Sequence, residues 1–232
     1  MHTKSPPCHT RGMAPSDGSL PSGPQNIYPV MMRDTSLPGG SVLTVAVFFE
    51  GGLLVLAWGL GHLLGVPVGD QTTFTPSAFV LGVVATVPLV AGLYWILRTP
   101  WGGLARLRVV IEDKVAPLFA NCSVAGIAVV SILAGVGEEA LFRGVLQTYF
   151  AGHVGVVPAL LVTSSLFGLL HPVTAAYAVM AGLIGLYLGV LAVWHDNLLV
   201  PMVVHSLYDF VALTYLVRHH RLQPDSVVDV TS

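Results

Sequence analysis

The sequence predicts an all-α protein: a multi-spanning transmembrane helix bundle of about six spans with an interfacial amphipathic connector. Hydrophobic residues make up 54% of the 232 residues and charged residues only 9%, against about 25% charged residues in soluble domains. The mean hydropathy is +0.77. Between Val115 and Val217 only five residues are Asp, Glu, Lys or Arg. The chain has room for about six apolar stretches of roughly 20 residues each, so we expect an integral, multi-pass membrane protein.

The N-terminal half contains a polar tail, two apolar stretches and a basic segment. Residues 1–40 are rich in Pro, Gly and Ser and lack an apolar run, so we expect a disordered tail. The first span covers 41–66 and carries Glu50 about ten residues in. This acid either faces the cavity and contributes to substrate contact, or snorkels from a span that begins later. The second span covers 75–97. Residues 98–114 hold four of the ten Lys and Arg residues, which predicts the amphipathic connector at the cytoplasmic interface.

The C-terminal half is apolar almost throughout. Its predicted spans are 119–150, 156–170, 173–194 and 197–217. The first of these is longer than one membrane thickness requires, so it is either one long tilted helix or two pieces broken near Gly135–Gly137. Because Pro172 disfavours helix in the residue before it, we expect His171 at or near a helix end. The predicted membrane-embedded domain covers 41–217, and a short cytoplasmic tail follows over 218–232.

The charge distribution predicts the orientation and limits the partners. Six spans return both termini to one side, and Arg33, the basic connector, Arg218 and Arg221 all fall on that side. The positive-inside rule makes this side cytoplasmic. The net charge of −2 and the small number of basic residues argue against nucleic acid as a partner. The lipid bilayer is the expected surrounding, and the sequence leaves the oligomeric state open.

Three charged residues lie in the middle of a hydrophobic stretch, where each costs roughly 2.5–3.5 kcal/mol on membrane-insertion scales. In a helix, Glu139 and Arg143 stand four residues apart and are expected to form an ion pair. Glu138 points about 100° away from Glu139 and has no obvious partner in its own helix, which makes it a candidate general base. The alternative is a salt bridge that locks the helix, with one spare acid facing a wet cavity.

Two further pairs have the same i,i+4 spacing in later apolar segments. Phe167 and His171 place an aromatic ring and an imidazole on one helix face, and His205 and Asp209 place an imidazole and a carboxylate on another. A single histidine in an apolar helix is usually a packing residue. Together with Glu138, however, one imidazole can share a water molecule while the other, oriented by Asp209, stabilises the oxyanion of an attacked carbonyl.

The motifs Glu-Glu-x-x-x-Arg, Phe-x-x-x-His and His-x-x-x-Asp occur in this order on apolar segments. They resemble the motifs of the CPBP family of intramembrane proteases, which contains the CAAX prenyl endopeptidases and the ABI or bacteriocin-processing proteins. The similarity covers about residues 118–217. The resemblance implies these roles: catalytic base for Glu138, support for Glu139 and Arg143, water positioning for His171, and oxyanion stabilisation for His205 with Asp209. Phe167 is the candidate substrate-binding residue.

One position departs from the pattern of the prenyl endopeptidases, which typically carry Asn where this chain has Asp209. An ionised Asp cannot donate a hydrogen bond to an oxyanion. Asp209 would therefore orient His205, stay protonated or bind a metal ion. The resemblance implies no essential metal. A zinc site of His171, His205 and Asp209 is the alternative, with acceptable ligand types but without the compact His-Glu-x-x-His spacing.

The leading hypothesis is a membrane-embedded endopeptidase that hydrolyses a peptide bond of a lipidated or membrane-associated substrate near the cytoplasmic surface. Two alternatives come from other classes. In an ion-coupled transporter the buried acids and histidines would relay charge, but the sequence lacks the two matching halves with interrupted helices that many transporters have. The second alternative is a catalytically silent immunity or scaffold protein of the membrane.

Overall fold

The computed structural model of the protein describes residues 39–100 and 102–222, and in these ranges every regular element is a helix. The all-α prediction is therefore confirmed for the described residues. The predicted N-terminal tail, with Arg33, lies outside them except for its last two residues, which begin the first helix. Residues 223–232 of the predicted C-terminal tail also lie outside the described residues.

Seven helices organise the described chain: α1 (Gly39–Leu64), α2 (Pro76–Arg98), α3 (Gly102–Val110), α4 (Val124–Val154), α5 (Val156–Leu169), α6 (Ala175–His195) and α7 (Leu199–Leu222). A short 3₁₀ helix, Val68–Gln71, lies in the loop between α1 and α2. Beyond α3 the helix continues through a π-helical segment, Ile111–Val115, to Ala116–Phe119. The last helix runs five residues past the predicted end of the final span at residue 217.

Five of these helices, α1, α2, α4, α6 and α7, are long and apolar enough to cross a membrane. The protein is thus an integral, multi-pass membrane protein. The remaining apolar helix, α5, has 14 residues, and at about 1.5 Å per residue it is shorter than the roughly 30 Å hydrocarbon core of a bilayer. The fourth of the six predicted spans is therefore a short helix, which ends at Leu169, two residues before His171.

Side chains and backbone conformations at the helix ends explain the turns between them. Thr75, Ser123 and Thr174 precede α2, α4 and α6, and each side-chain oxygen accepts a hydrogen bond from a backbone N–H in the first turn. Such caps satisfy amide groups that have no partner within the helix. Gly155, at a φ of 87°, makes the tight connection from α4 to α5, a backbone conformation that glycine adopts without strain.

The long apolar stretch after the connector forms one helix of 31 residues, α4. The structure therefore has the long helix and not the two pieces broken near Gly135–Gly137. Its hydrogen-bonding pattern changes directly after Glu139, where a π-helical segment covers Ala140–Gln147. π-helical turns within α-helices are rare and occur frequently at functional sites. The segment that carries the two adjacent acids therefore differs locally from a regular α-helix.

The bundle is built around α4, which packs against α1, α5 and α7, while α2 packs against α7 and α5 against α6. In the most apolar window of each helix, 56% of the residues are buried in α4 and 50% in α7, but only 6% in α1. The connector has the predicted amphipathic character: Leu107 and Ile111 are buried against α2 and α7, whereas Arg106 and Lys114 are exposed. The charged residues of α4 and α7 thus lie on the two most enclosed helices.

Candidate active site

Two glycines allow α4 to approach its neighbours closely, just before its adjacent acids. A Cβ atom at Gly135 would lie 2.6 Å from the backbone nitrogen of Ser206 on α7. A Cβ atom at Gly137 would lie 2.7 Å from the backbone oxygen of Glu50 on α1. These separations are too short for any side chain, so glycine is what permits the contacts, as in other closely packed membrane helices. The backbones of α1 and α7 therefore meet α4 at the level of its acids.

Glu139 links α4 to α7 through one carboxylate oxygen. Its Oε1 accepts a hydrogen bond from Arg143 Nη1 at 2.8 Å and another from His205 Nδ1 at 2.8 Å. Arg143 also donates from Nη2 to the backbone oxygen of Gly185 on α6 at 2.7 Å. The side chains of Glu139 and Arg143 are 0% and 1% exposed, and the ion pair predicted from their spacing is confirmed. We call these two residues the closed side of the site.

Glu138 faces two imidazoles. Its Oε2 lies 4.0 Å from His171 Nε2 and 4.0 Å from His205 Nε2. This oxygen is shielded from solvent and has no hydrogen-bond partner among the described residues. Polar atoms at this separation are too far apart for a direct hydrogen bond, but one water molecule can bridge them. The structure thus brings side chains from α4, α7 and the turn after α5 within reach of a common water.

The hydrogen bonds of the two imidazoles determine which nitrogen carries a proton. His171 follows the end of α5, as predicted, and its Nδ1 lies 2.8 Å from the backbone oxygen of Phe167. A carbonyl oxygen only accepts hydrogen bonds, so Nδ1 donates and Nε2 of the neutral ring is an acceptor. His205 donates from Nδ1 to the ion-paired carboxylate of Glu139, so its Nε2 donates only when the ring is positively charged. The two histidines therefore offer different groups to the space beside Glu138.

Phe167 packs against both imidazoles. Its ring centroid lies 4.6 Å from that of His171 and 6.0 Å from that of His205. The guanidinium carbon of Arg143 lies 4.5 Å from the same centroid. The residue is only 3% exposed, which leaves it little surface for a substrate. In the structure Phe167 packs against the imidazoles, and its predicted contact with the substrate stays a prediction.

Asp209 lies on the same face of α7 as His205, as its spacing predicted. Its Oδ2 is 3.5 Å from His205 Nε2. Orientation of His205 was one of the roles predicted for Asp209, but the shorter contact to the imidazole comes from Glu139 at the other ring nitrogen. The side chains of His171 and Asp209 are 30% and 29% exposed. We call these two residues the open side of the site.

Glu50 is the residue whose orientation the sequence left undecided. Its Oε2 is shielded from solvent and has no hydrogen-bond partner among the described residues. The backbone oxygen of Glu50 packs against Gly137, directly before Glu138, and the shielded side-chain oxygen supports the alternative in which Glu50 faces the site. The signal in the sequence was an acid near the middle of an apolar span. The direction of the side chain depends on the rotation of α1 relative to α4, which the sequence does not reveal.

The described residues contain no group of three or more His, Cys, Asp or Glu side chains arranged to hold a metal ion. This includes the alternative zinc set of His171, His205 and Asp209. Zinc ligands lie about 2.0–2.2 Å from the ion and surround it tetrahedrally. The zinc-dependent alternative stays a prediction.

Residues 120–211 match the family model described as type II CAAX prenyl endopeptidase, Rce1-like. The match covers 92 of the 232 residues and contains both sides of the site, together with Glu138 and His205, but not α1 and its Glu50. No curated protein and no solved structure matches the chain. The family match confirms the resemblance that the three motifs indicated. Residues 120–211 are thus similar to the Rce1-like family of prenyl endopeptidases, which is consistent with a protease of the CPBP type.

Proposed function

We propose that the protein is an intramembrane endopeptidase that hydrolyses a peptide bond of a membrane-associated or lipidated substrate. The observation that carries the proposal is the position of Glu138 Oε2, 4.0 Å from Nε2 of both His171 and His205. Activation of water needs a carboxylate that takes a proton and a second group that holds the water in place. The family match supports this class of reaction, because the family description is that of a prenyl endopeptidase.

In the proposed reaction, one water molecule donates hydrogen bonds to Glu138 Oε2 and to His171 Nε2. Its oxygen attacks the carbonyl carbon of the substrate while Glu138 takes one proton, and the electron pair of the C=O double bond moves to the oxygen. His205, in its positively charged form, donates from Nε2 to this oxyanion. The C–N bond then breaks, the carbonyl re-forms, and Glu138 gives its proton to the leaving amine nitrogen.

The closed side acts through its neighbours in this proposal. Glu139 holds Nδ1 of His205 at 2.8 Å and thereby directs Nε2 towards Glu138. Arg143 fixes Glu139 and is itself tied to α6 through Gly185. These are positioning residues, since preorganised donors and acceptors need a rigid support. Asp209 supplies a second negative charge beside the imidazole. The proposal assigns no step to a metal ion.

The test is cleavage of a peptide with a prenylated cysteine near its C-terminus by the purified protein in detergent, with an unprenylated peptide of the same sequence beside it. Glu138, His171 and His205 are replaced in turn by Ala. We expect losses of about 10²–10⁴-fold in kcat, the range typical of general acid–base and oxyanion groups. The variant Asp113→Ala, in the exposed part of the connector, serves as the control and keeps the parent rate. Each protein is assayed with and without a chelator.

The outcomes separate the alternatives. Loss of cleavage in all three variants without sensitivity to the chelator supports the proposed reaction. Loss of activity in the chelator, restored by zinc, replaces it with the zinc-dependent variant of the same hydrolysis. Unchanged cleavage in the three variants contradicts the roles given to these residues. If the parent protein cleaves none of the peptides, the proposal fails in favour of an ion-coupled transporter or an immunity or scaffold protein.

A further inference from the structure

Glu50 is an acid that the proposed reaction does not use. It is the only Asp, Glu, Lys or Arg of α1, whose most apolar window is only 6% buried inside the bundle. An ionisable group in a membrane helix is costly and as a rule serves a function with a definable partner. Among the described residues, Glu50 Oε2 has no hydrogen-bond partner although it is shielded from solvent, so this oxygen is free to accept a hydrogen bond from a bound substrate.

The position of Glu50 is fixed by the contact between α1 and α4. Its backbone oxygen packs against Gly137, where a Cβ atom would approach to 2.7 Å, and Gly137 is the residue directly before Glu138. The charge of Glu50 interacts with those of Glu138, His205 and Asp209. The third helix of the site therefore contributes a carboxylate beside the groups that would perform the chemistry.

The charges around this space do not balance. The cations of the site are Arg143 and, in the proposed reaction, the charged form of His205, and each is bound to Glu139 at 2.8 Å. The groups that act on Glu50 include two further carboxylates and one imidazole, and none of them is a lysine or arginine. Glu138 Oε2, on a residue 8% exposed, likewise has no hydrogen-bond partner. Among the described residues, three shielded carboxylate oxygens thus lack a hydrogen-bond partner, and only the one on Glu139 belongs to a residue that is paired with Arg143.

We propose that Glu50 is a specificity-determining residue, which selects substrates carrying a positively charged side chain close to the scissile bond. This inference rests on the proposed function. A lysine or arginine side chain donates charge-assisted hydrogen bonds to a carboxylate, and these are stronger than hydrogen bonds between neutral groups. The same carboxylates repel an acidic side chain of a substrate. That side chain would also be shielded from solvent without a hydrogen-bond donor. Selection then works by attraction of the cation and by rejection of the anion.

The experiment uses the full-length protein in detergent and a set of peptides that share one cleavable sequence. One position at a time, within two residues of the scissile bond on either side, carries Lys, Gln or Glu. The value of kcat/KM is measured for the parent, for Glu50→Gln, which removes the charge at nearly constant shape, and for Glu50→Asp, which keeps the charge. Asp70→Asn removes one negative charge from an exposed residue in the loop after α1 and is the matched control.

At one position we expect the parent and the Asp70→Asn variant to prefer Lys over Gln by about tenfold and to disfavour Glu. Glu50→Gln lowers the Lys-to-Gln ratio to less than about threefold, and Glu50→Asp retains part of it. A purely structural defect lowers all rates together and leaves the ratio unchanged. That result overturns the inference, as does a parent without any charge preference. A parent that cleaves none of the peptides instead contradicts the proposed function itself.

Discussion

The closed side of the site, Glu139 and Arg143, and the open side, His171 and Asp209, differ in exposure and in the length of their contacts. The closed side is 0–1% exposed and joined by hydrogen bonds of 2.8 Å. On the open side, 29–30% of each side chain is exposed, and the contacts to Glu138 and His205 are 3.5–4.0 Å long. Short contacts without solvent hold a geometry, whereas longer ones leave room for water and substrate. Substitutions on the closed side should therefore lower the stability of the protein, whereas those on the open side should lower its activity.

Replacement of Arg143 by Met should cause the largest loss, and it should be a loss of stability. Removing one partner of a buried ion pair leaves an uncompensated charge, which costs about 3–5 kcal/mol. In this protein the change leaves Glu139 without its cation and leaves the backbone oxygen of Gly185 without a donor. The free energy of unfolding, measured by denaturant titration in detergent micelles, is the readout.

Two further proteins sharpen this prediction. Arg106→Met changes an exposed arginine of the connector and should alter the stability by no more than about 0.5 kcal/mol. The double variant of Arg143→Met with Glu139→Gln should lose less than the two single changes together, because the unpaired charge is then absent. An Arg143→Met protein as stable as the parent would show that the closed side does not hold the bundle together.

The open side should lose activity without loss of stability, and the lost group should be replaceable from solution. We expect His171→Ala to lower kcat by about 10²-fold and to recover part of it when free imidazole is added, because the His171 side chain is 30% exposed. His205→Ala should not recover, because the His205 side chain is only 8% exposed and free imidazole cannot readily reach its position. The measurement is kcat against imidazole concentration for both variants.

Recovery of both variants by imidazole, or of the His205→Ala variant alone, would contradict the assignment of the two sides. Unfolding curves provide the control, since His171→Ala should unfold like the parent. If this variant is strongly destabilised, His171 stabilises the packing of the site, as Phe167 does, and does not act only as a group that positions water.

The sequence was most informative where a contact depends on residues of one helix. The pairing of Glu139 with Arg143 and that of His205 with Asp209 follow from helical spacing, and both are present in the structure. The position of His171 after a helix end follows from the effect of proline on the preceding residue. These contacts require only that the local segment be helical, which its apolar composition already indicates.

The contacts between helices could not be predicted from the sequence. Glu139 and His205 are 66 residues apart, and their hydrogen bond depends on how closely α4 approaches α7 at Gly135. The direction of Glu50 depends in the same way on the approach of α1 at Gly137. The burial of Phe167 follows from the packing of α5 between α4 and α6. A sequence pattern gives the face of a helix but not the partner that this face meets.

The smallest effect is expected for Asp209→Asn, on the open side. Asn keeps the shape of the side chain and adds an N–H donor, but it removes the negative charge 3.5 Å from His205 Nε2. Glu139, at 2.8 Å from the other ring nitrogen, still orients the imidazole and supplies a counter-charge. We therefore expect kcat to change by less than about tenfold, which corresponds to about 1.4 kcal/mol, with unchanged stability.

Asp196→Asn, a charge removal at an exposed turn residue whose left-handed conformation Asn also adopts readily, is the matched control for this comparison. Steady-state kinetics on one peptide give kcat and KM for both variants. A loss of more than about 100-fold for Asp209→Asn alone would mean that His205 depends on two carboxylates. Asp209 would then support His205 in the same way as Glu139 does. Only His171 would remain on the open side, as the residue that holds the water.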